Sequence, residues 1–175
     1  MINLFVGFDP REAVAYHVFC NSIIQNTSVP VQITPFSAQS NYKNSTRRMM
    51  IAVMILCTLD FNSYLSDFKG WTIFAMGNMI CQGDLKELID MADPSKAVMV
   101  VKHDYQTKAT QKYLGNINEN YPEKNWSSVI LWNCEHPKHK ILTPDFVSKQ
   151  TGKFLHRFSW LDDQDIGELP WNGIG

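Results

Sequence analysis

Two periods of apolar positions run along this chain, and the places where one gives way to the other mark its elements. Ile2 to Phe8 is a short apolar run rich in β-formers, which predicts a buried strand. Asp9-Pro10-Arg11-Glu12 follows with three helix-start signals in register: an N-cap carboxylate, Pro at the first helical position and an acidic residue in the first turn. The helix is predicted to about Gln25, with Ala13, Val14, Val18, Phe19 and Ile23 at three- and four-residue spacing toward one buried face, and Asn26-Thr27-Ser28 ending it. Val31 to Phe36, with Pro30 and Pro35 at its margins, is a second strand. Strand, helix and strand in succession predict a βαβ opening, a parallel sheet and a right-handed crossover.

Beyond a polar loop from Ser37 to Thr46, Arg47 to Leu59 reads as a helix that is apolar on every side, and such a helix should be buried. The run that starts at Trp71 breaks at Gly77-Asn78, resumes at Met79-Ile80 and passes at Gly83-Asp84 into a helical pattern. That is how a buried strand ending in a turn reads, followed by a short helix from Asp84 to Ala92 with Leu85, Leu88 and Ile89 on one face. Ala97 to Lys102 is a further strand that runs into His103-Asp104-Tyr105, and Lys108 to Lys124 is polar enough for a surface loop. Trp126-Ser127-Ser128 opens the strand Val129 to Trp132. Thr143-Pro144-Asp145 starts a helix to about Gln150, closed by Gly152. The stretch from Phe154 to Gly175, aromatic, acidic and rich in Gly and Pro, is predicted as a loop over a site. The whole is an α/β protein with a mostly parallel sheet flanked by helices, and in such sheets sites lie at strand ends.

Composition narrows this further. A chain of 175 residues, 45% hydrophobic and 12% aromatic, is long enough for one buried core and short for two, so a single domain is expected. The net charge of -1, from 16 basic and 17 acidic residues, sets up no field toward nucleic acid or an anionic membrane. The N-terminus has no basic region before its apolar run, and Met49 to Cys57 is about half the roughly 18 apolar residues of a membrane span. A cytoplasmic protein with no membrane span and no nucleic-acid partner is the expectation. Cys20, Cys57, Cys81 and Cys134 sit singly, without the spacing of a zinc ribbon or a disulfide framework.

Four clusters carry candidate chemistry. Gly7 to Glu12 lies where the first strand meets the first helix, where a helix N-terminus can bind an anion, an aromatic can stack and a carboxylate can accept from a ribose or base. Equally, Asp9 there can do no more than cap the helix while Arg11 pairs with Glu12 or solvent. Cys134, His136 and His139 offer three zinc ligands without a fourth, or an exposed basic turn with Lys138 and Lys140. His156 to Asp165 gathers three carboxylates, a His, an Arg and two aromatics, suited to general-base or metal chemistry and to stacking on sugars, or to a solvated acidic turn between anchoring aromatics. His103-Asp104-Tyr105 is a weaker group of the same kind. No serine nucleophile elbow, P-loop or dinucleotide glycine fingerprint is present.

Six stretches in order carry a resemblance: Phe5 to Val18, Lys69-Gly70-Trp71, Gly83-Asp84-Leu85, Val98 to Tyr105, Lys124 to Val129, and Leu155 to Asp163 with Ile166-Gly167-Glu168-Leu169-Pro170. Together they resemble bacterial and phage glycosyltransferases of the GT-A fold, similar to family 8, over most of the chain except about Ser37 to Ser63. The resemblance implies a nucleoside-diphosphate sugar donor, a Mn²⁺ or Mg²⁺ ion on its diphosphate, and transfer of the sugar to a carbohydrate or other hydroxyl acceptor. It implies that Phe8, Asp9 and Arg11 line the nucleotide pocket, and that Lys102, His103 and Asp104, with Trp126, Ser127 and Ser128, border sugar and acceptor. His156, Trp160, Asp162 and Asp163 would then close the active site, with His156, Asp162 and Asp163 as its catalytic groups.

Against that family the chain departs in three places. The family's Asp-x-Asp metal motif falls on Met76-Gly77-Asn78, which leaves Asn78 as the one oxygen donor there, and Met is no ligand for a hard cation. The apolar run from Arg47 to Leu59 replaces a segment with a donor-binding arginine. The chain also stops before the family's C-terminal His segment, as if truncated. Metal-dependent transfer is therefore expected to be weak or absent. The alternatives are a catalytically inactive protein that binds sugar nucleotides or partners, and a metal-independent transferase that offsets diphosphate charge with Arg11, Lys102 or His156.

Overall fold

The structure, a computed structural model, describes residues 1–37, 70–103, 124–151, 154–155 and 157–170. The predicted helix from Arg47 to Leu59, the surface loop of 108–123, and Asp104, Gly152 and His156 lie outside the described residues. The strands are β1 (Ile2–Phe8), β2 (Val31–Ser37), β3 (Trp71–Met76), β4 (Val98–His103), β5 (Lys124–Asn133) and β6 (Ile166–Glu168). The helices are α1 (Ala13–Asn26), α2 (Leu85–Asp90) and α3 (Pro144–Lys149). The strands form one sheet in the order β2-β1-β3-β5-β4-β6. β1 is parallel to β2 and β3, β4 is parallel to β6, and β5 runs antiparallel to both β3 and β4. The mostly parallel α/β sheet read from the sequence is thus the observed one, with β5 as the strand of opposite sense.

Alternation along the strands sends side chains to two cores, one on each face. Leu4, Val6, Ile73, Ala75 and Leu131 join Phe19 and Ile23 of α1 and Leu85 of α2 on one face. Phe5, Phe74, Val100, Ile130 and Trp132 join Leu142, Val147 of α3, Leu155 and Phe158 on the other. Helices therefore cover both sides of the sheet, as its parallel pairing demands.

Two expectations are corrected. In α1, Phe19 and Ile23 are fully buried, whereas Val14 and Val18, assigned to the same face, stay 79% and 49% exposed. Phe19 follows Val14 by five residues and Ile23 follows Val18 by five, roughly 140° around a helix, so the two pairs lie on different sides. The second correction is β6. The sequence places a loop there, but Val98, Met99 and Val100 pair with Ile166, Gly167 and Glu168. Gly167 hid the strand: a Cβ on it would lie 2.8 Å from Met99 Cγ, so the glycine answers close packing and not a turn.

Candidate functional site

From β1 the chain goes to β2 on one side, then returns to place β3 on the other side of β1. This is a topological switch point, and in an open α/β sheet ligands bind in the crevice outside the carboxyl ends of the strands that flank it. The last β1–β3 pair is Gly7↔Met76, where β3 ends and one residue before β1 does. Their backbones come unusually close just beyond: a Cβ on Gly77 would stand 2.2 Å from the Gly7 carbonyl oxygen and 3.4 Å from Tyr16 Cδ2. Glycine at 77 is required by contact with backbone. Phe8 continues the rim of the crevice and meets Tyr16 edge-on at 5.0 Å between ring centres.

The helix start at Asp9 completes one wall. The Asp9 carboxylate accepts from the Arg11 backbone N–H at 2.9 Å and from the Arg11 guanidinium through Nε at 3.0 and 3.1 Å and Nη2 at 2.5 Å. Those side-chain hydrogen bonds, then the backbone one, hold its pKa down at about 2. Asp9 therefore caps the helix, as its modest reading required, and also engages the Arg11 fork; Arg11 pairs with Asp9 instead of Glu12.

Downstream of Gly77 the turn is fastened to α1. Cys81 donates its N–H to Ser22 Oγ at 2.9 Å, and Asn26 Nδ2 donates to the Cys81 carbonyl at 2.9 Å. Asp84 caps α2 through the Lys86 N–H and accepts from the Ser28 N–H as well. Three polar side chains thus tie residues 81–84 to the C-terminal half of α1 and to the turn that follows it. Sequence reasoning found the Asp84 cap; Ser22 and Asn26, ordinary polar residues on a helix, gave no local sign of a partner more than fifty positions away.

On the far side of β3 the same strand-end edge carries the start of β5 and the end of β4. Val101, Lys102 and His103 pair with Trp126, Asn125 and Lys124, after a shift of register between Val100 and Val101. The shift leaves Ser127 and Ser128 without opposite residues in β4, just where Val129 still pairs with Ala75 of β3. Irregular pairing of this kind is common beside sites, where it re-aims side chains. The backbones of Lys102, His103, Trp126, Ser127 and Ser128 therefore share an edge with Phe8, Asp9, Arg11 and Asn78.

Trp160, Asp162 and Asp163 are not brought to that edge. The Ala97 N–H, which immediately precedes β4, donates to the Asp165 carbonyl at 2.8 Å, and Lys96 Nζ donates to the Gln164 carbonyl at 2.9 Å. These residues therefore lie at the opposite end of the sheet, beside Asn133 and Trp71. Five strand steps separate Trp71 from Met76, roughly 17 Å. There Asp162 and Asp165 form a capping box, and Lys138 Nζ bridges their carboxylates at 2.6 and 2.5 Å. Burial raises the Asp165 pKa, but the Lys138 hydrogen bond and the Asp162 N–H outweigh it and hold the group below the ordinary carboxylate value.

His139 sits in the same region and is not the exposed residue that a basic turn implied. It is 1% exposed, on a short 3-10 helix over Pro137–Ile141. Its Nε2 faces the Ala97 carbonyl at 3.0 Å and its Nδ1 faces the Trp160 indole N–H at 3.4 Å. A carbonyl only accepts and an indole N–H only donates, so the ring is neutral with its proton on Nε2. Burial, the largest influence, takes its pKa down to about 4. Cys134 lies 3.5 Å from Thr72 Oγ1, and among the described residues no three His, Cys, Asp or Glu side chains gather to hold a metal ion.

The position of the metal motif carries side chains unsuited to an ion. Met76, half-buried, packs against the core that holds Phe5 and Phe74, while Asn78 is exposed. A thioether turned into an apolar core and one neutral amide do not fit a hard divalent cation, which takes carboxylate oxygens.

Comparison with known proteins places this geometry. No protein-family model matches the chain. Among solved structures it is similar to the galactosyltransferase LgtC in complex with donor and acceptor sugar analogs, with TM-score 0.57, 13% identity, and 95% of this chain and 73% of that one covered. Mouse xyloside xylosyltransferase 1 in its apo form aligns with TM-score 0.54 at 10% identity, covering 96% and 84%. The fold is that of the GT-A-type glycosyltransferases. In sequence the chain is 43% identical to Protein CDI of Arabidopsis thaliana over 175 residues, covering 97% of this chain and 68% of that protein. It belongs to the family of that protein. No helix among the described residues is long and apolar enough to cross a membrane.

Proposed function

We propose that this chain is a glycosyltransferase-like protein that takes a nucleoside-diphosphate sugar into the crevice between the ends of β1 and β3. The observation that carries the reading is the switch point itself: Gly7 and Gly77 bring two parallel strand ends together beneath Phe8, Tyr16 and the helix start at Asp9. In this reading the aromatic pair and Asp9 receive the nucleoside. The edge formed by Lys102, His103 and Ser127–Ser128 receives sugar and hydroxyl acceptor. Asp162 and Asp165, bridged by Lys138, fasten the start of β6 at the far end of the sheet.

Titration of the ¹⁵N-labelled chain with UDP- and GDP-sugars tests this. Amide shifts should concentrate at Gly7, Phe8, Gly77 and Asn78. Shifts confined to Ala97, Lys138 and Asp165 would move the site to the other end and refute the reading. A second reading, a catalytically inactive sugar-nucleotide-binding protein, is favoured by Met76 and Asn78 at the metal position. Release of labelled sugar to water or acceptor over many turnovers decides for the transferase, and stoichiometric binding without turnover decides for the binding protein.

A further inference from the structure

The stretch that leaves β3 is held at both ends by one helix. β3 ends at Met76, paired with Gly7, and Tyr16 in the first half of α1 stands against Gly77, with its Cδ2 3.4 Å from where a Cβ would be. Gly77, Asn78, Met79 and Ile80 then separate that pairing from Cys81, which is fully buried. Cys81 is gripped through both of its backbone polar groups. Its N–H donates to Ser22 Oγ at 2.9 Å, and its carbonyl accepts from Asn26 Nδ2 at 2.9 Å.

Ser22 and Asn26 are four residues apart and share one face of α1, and each is itself fixed. Ser22 Oγ donates to the Phe19 carbonyl at 2.7 Å, and Asn26 Nδ2 donates to the Ser22 carbonyl at 2.8 Å as well as to Cys81. Both partners of the amide are carbonyls, so its nitrogen and not its oxygen faces them. The hydroxyl proton and both amide hydrogens are thus committed, and neither side chain can turn away without leaving a Cys81 backbone group unpaired.

Tyr16 and Asn26 lie ten residues apart, about 15 Å along the helix axis. One rigid helix therefore sets both where the turn starts and where it ends, and four residues between two fixed points keep little freedom of their own. Met79 adds to this by packing against the core of Phe19 and Ile23, whereas Asn78 is exposed.

We propose that Ser22 and Asn26 are positioning residues of the crevice: by gripping Cys81 from the far half of α1, they hold Gly77 and Asn78 in the arrangement that receives the ligand. The inference rests on the function proposed above and adds what keeps that site in shape. Loss of either grip leaves the turn competent for only part of the time, and the apparent affinity falls by that fraction.

Titration of the full chain with UDP-glucose and GDP-mannose, followed by the amide resonances of Gly77 and Asn78, tests this in Ser22→Ala, Asn26→Ala, Ser22→Thr and Val147→Ala. Ser22→Ala and Asn26→Ala should move both resonances in the free protein and weaken binding about threefold to tenfold, the worth of one hydrogen bond. Ser22→Thr keeps the hydroxyl and should restore wild-type affinity. Val147→Ala opens a cavity in the core on the opposite face of the sheet. It should destabilise the fold yet bind within about twofold of wild type, because it does not touch the turn. Wild-type affinity in both Ser22→Ala and Asn26→Ala, or an equal loss in Val147→Ala, overturns the inference and leaves the proposed function standing. Binding of neither ligand by the wild-type chain speaks against that function instead. The grip is then decided in the free protein, where unmoved Gly77 and Asn78 resonances in both variants overturn it.

Discussion

Replacing Gly77 by alanine places a Cβ 2.2 Å from the Gly7 carbonyl oxygen and 3.4 Å from its carbonyl carbon. Ordinary non-bonded carbon contacts are about 3.5 Å, so more than about 1 Å must be recovered by moving one backbone against another. β1 cannot give: it is paired on both sides, and Leu4, Phe5 and Val6 are 1%, 1% and 0% exposed. Overpacking of this kind costs about 1–3 kcal/mol. At 2–4 °C per kcal/mol for a chain of this size, the melting temperature should fall by about 2–12 °C. Gly167→Ala is the comparison, since its Cβ would meet side-chain Cγ atoms of Met99 and Lys96 at 2.8 and 3.0 Å, longer contacts than the backbone one at Gly77, and should cost less. Gly70→Ala meets nothing within 4 Å, but φ of +82° should cost about 1–2 kcal/mol through the backbone alone. Scanning calorimetry of the three variants orders them. A Gly77→Ala protein melting within about 1 °C of wild type, or above Gly167→Ala, would refute the close approach of β1 and β3 on which the crevice rests.

Further expectations follow from the described contacts. His139 has a folded pKa of about 4 against roughly 6.5 when unfolded, so the unfolded chain takes the proton first. Its contribution is whole above about pH 6.5 and is lost as pH falls toward 4, on the order of 3 kcal/mol in all; His139→Gln should flatten the melting temperature over that window, and an unchanged slope would contradict the buried neutral ring. Ser22→Ala leaves the Cys81 N–H unpaired and should cost about 1–3 kcal/mol, with faster amide exchange at Cys81 than at the core of β3. Phe19→Ala should cost about 3–5 kcal/mol in urea unfolding, whereas Val14→Lys on the exposed side of α1 should stay within about 0.5 kcal/mol.

Much of this architecture was legible because its signals are local. The β1 run, the Asp9-Pro10 start, the Asp84 and Thr143 caps and the apolar β4 core each depend on neighbours within a turn or a pleat, and each stands where the sequence placed it. The switch point was legible as a strand-end turn at Gly77, though not the reason for its glycine, which is the carbonyl of a residue seventy positions earlier. What stayed hidden is contact between distant segments. Three residues of β6 carry no period, and only the pairing with Val98 to Val100 makes them a strand. The crowding of carboxylates and tryptophan in 156–165 suits general-base chemistry or an acidic turn alike, and which end of the sheet receives Asp162 and Asp163 depends on β6. In α1 the reason is simpler: Val14 and Val18 share an apolar spacing with Phe19 and Ile23 but not their side of the helix.

The antiparallel β5 has a consequence for the growing chain. It is the inner neighbour of β3, yet it is made later than β4, so the open side of β3 waits for residues 124–133. Fifty-seven residues separate Met76 from Asn133, and at roughly 5–20 residues per second the ribosome takes about 3–11 s to deliver them. For that interval Thr72, Ile73, Phe74 and Ala75, all buried in the finished protein, form an unpaired and mostly apolar edge. A chain interrupted before residue 124 keeps that edge permanently, and such fragments should associate through it instead of remaining as monomers.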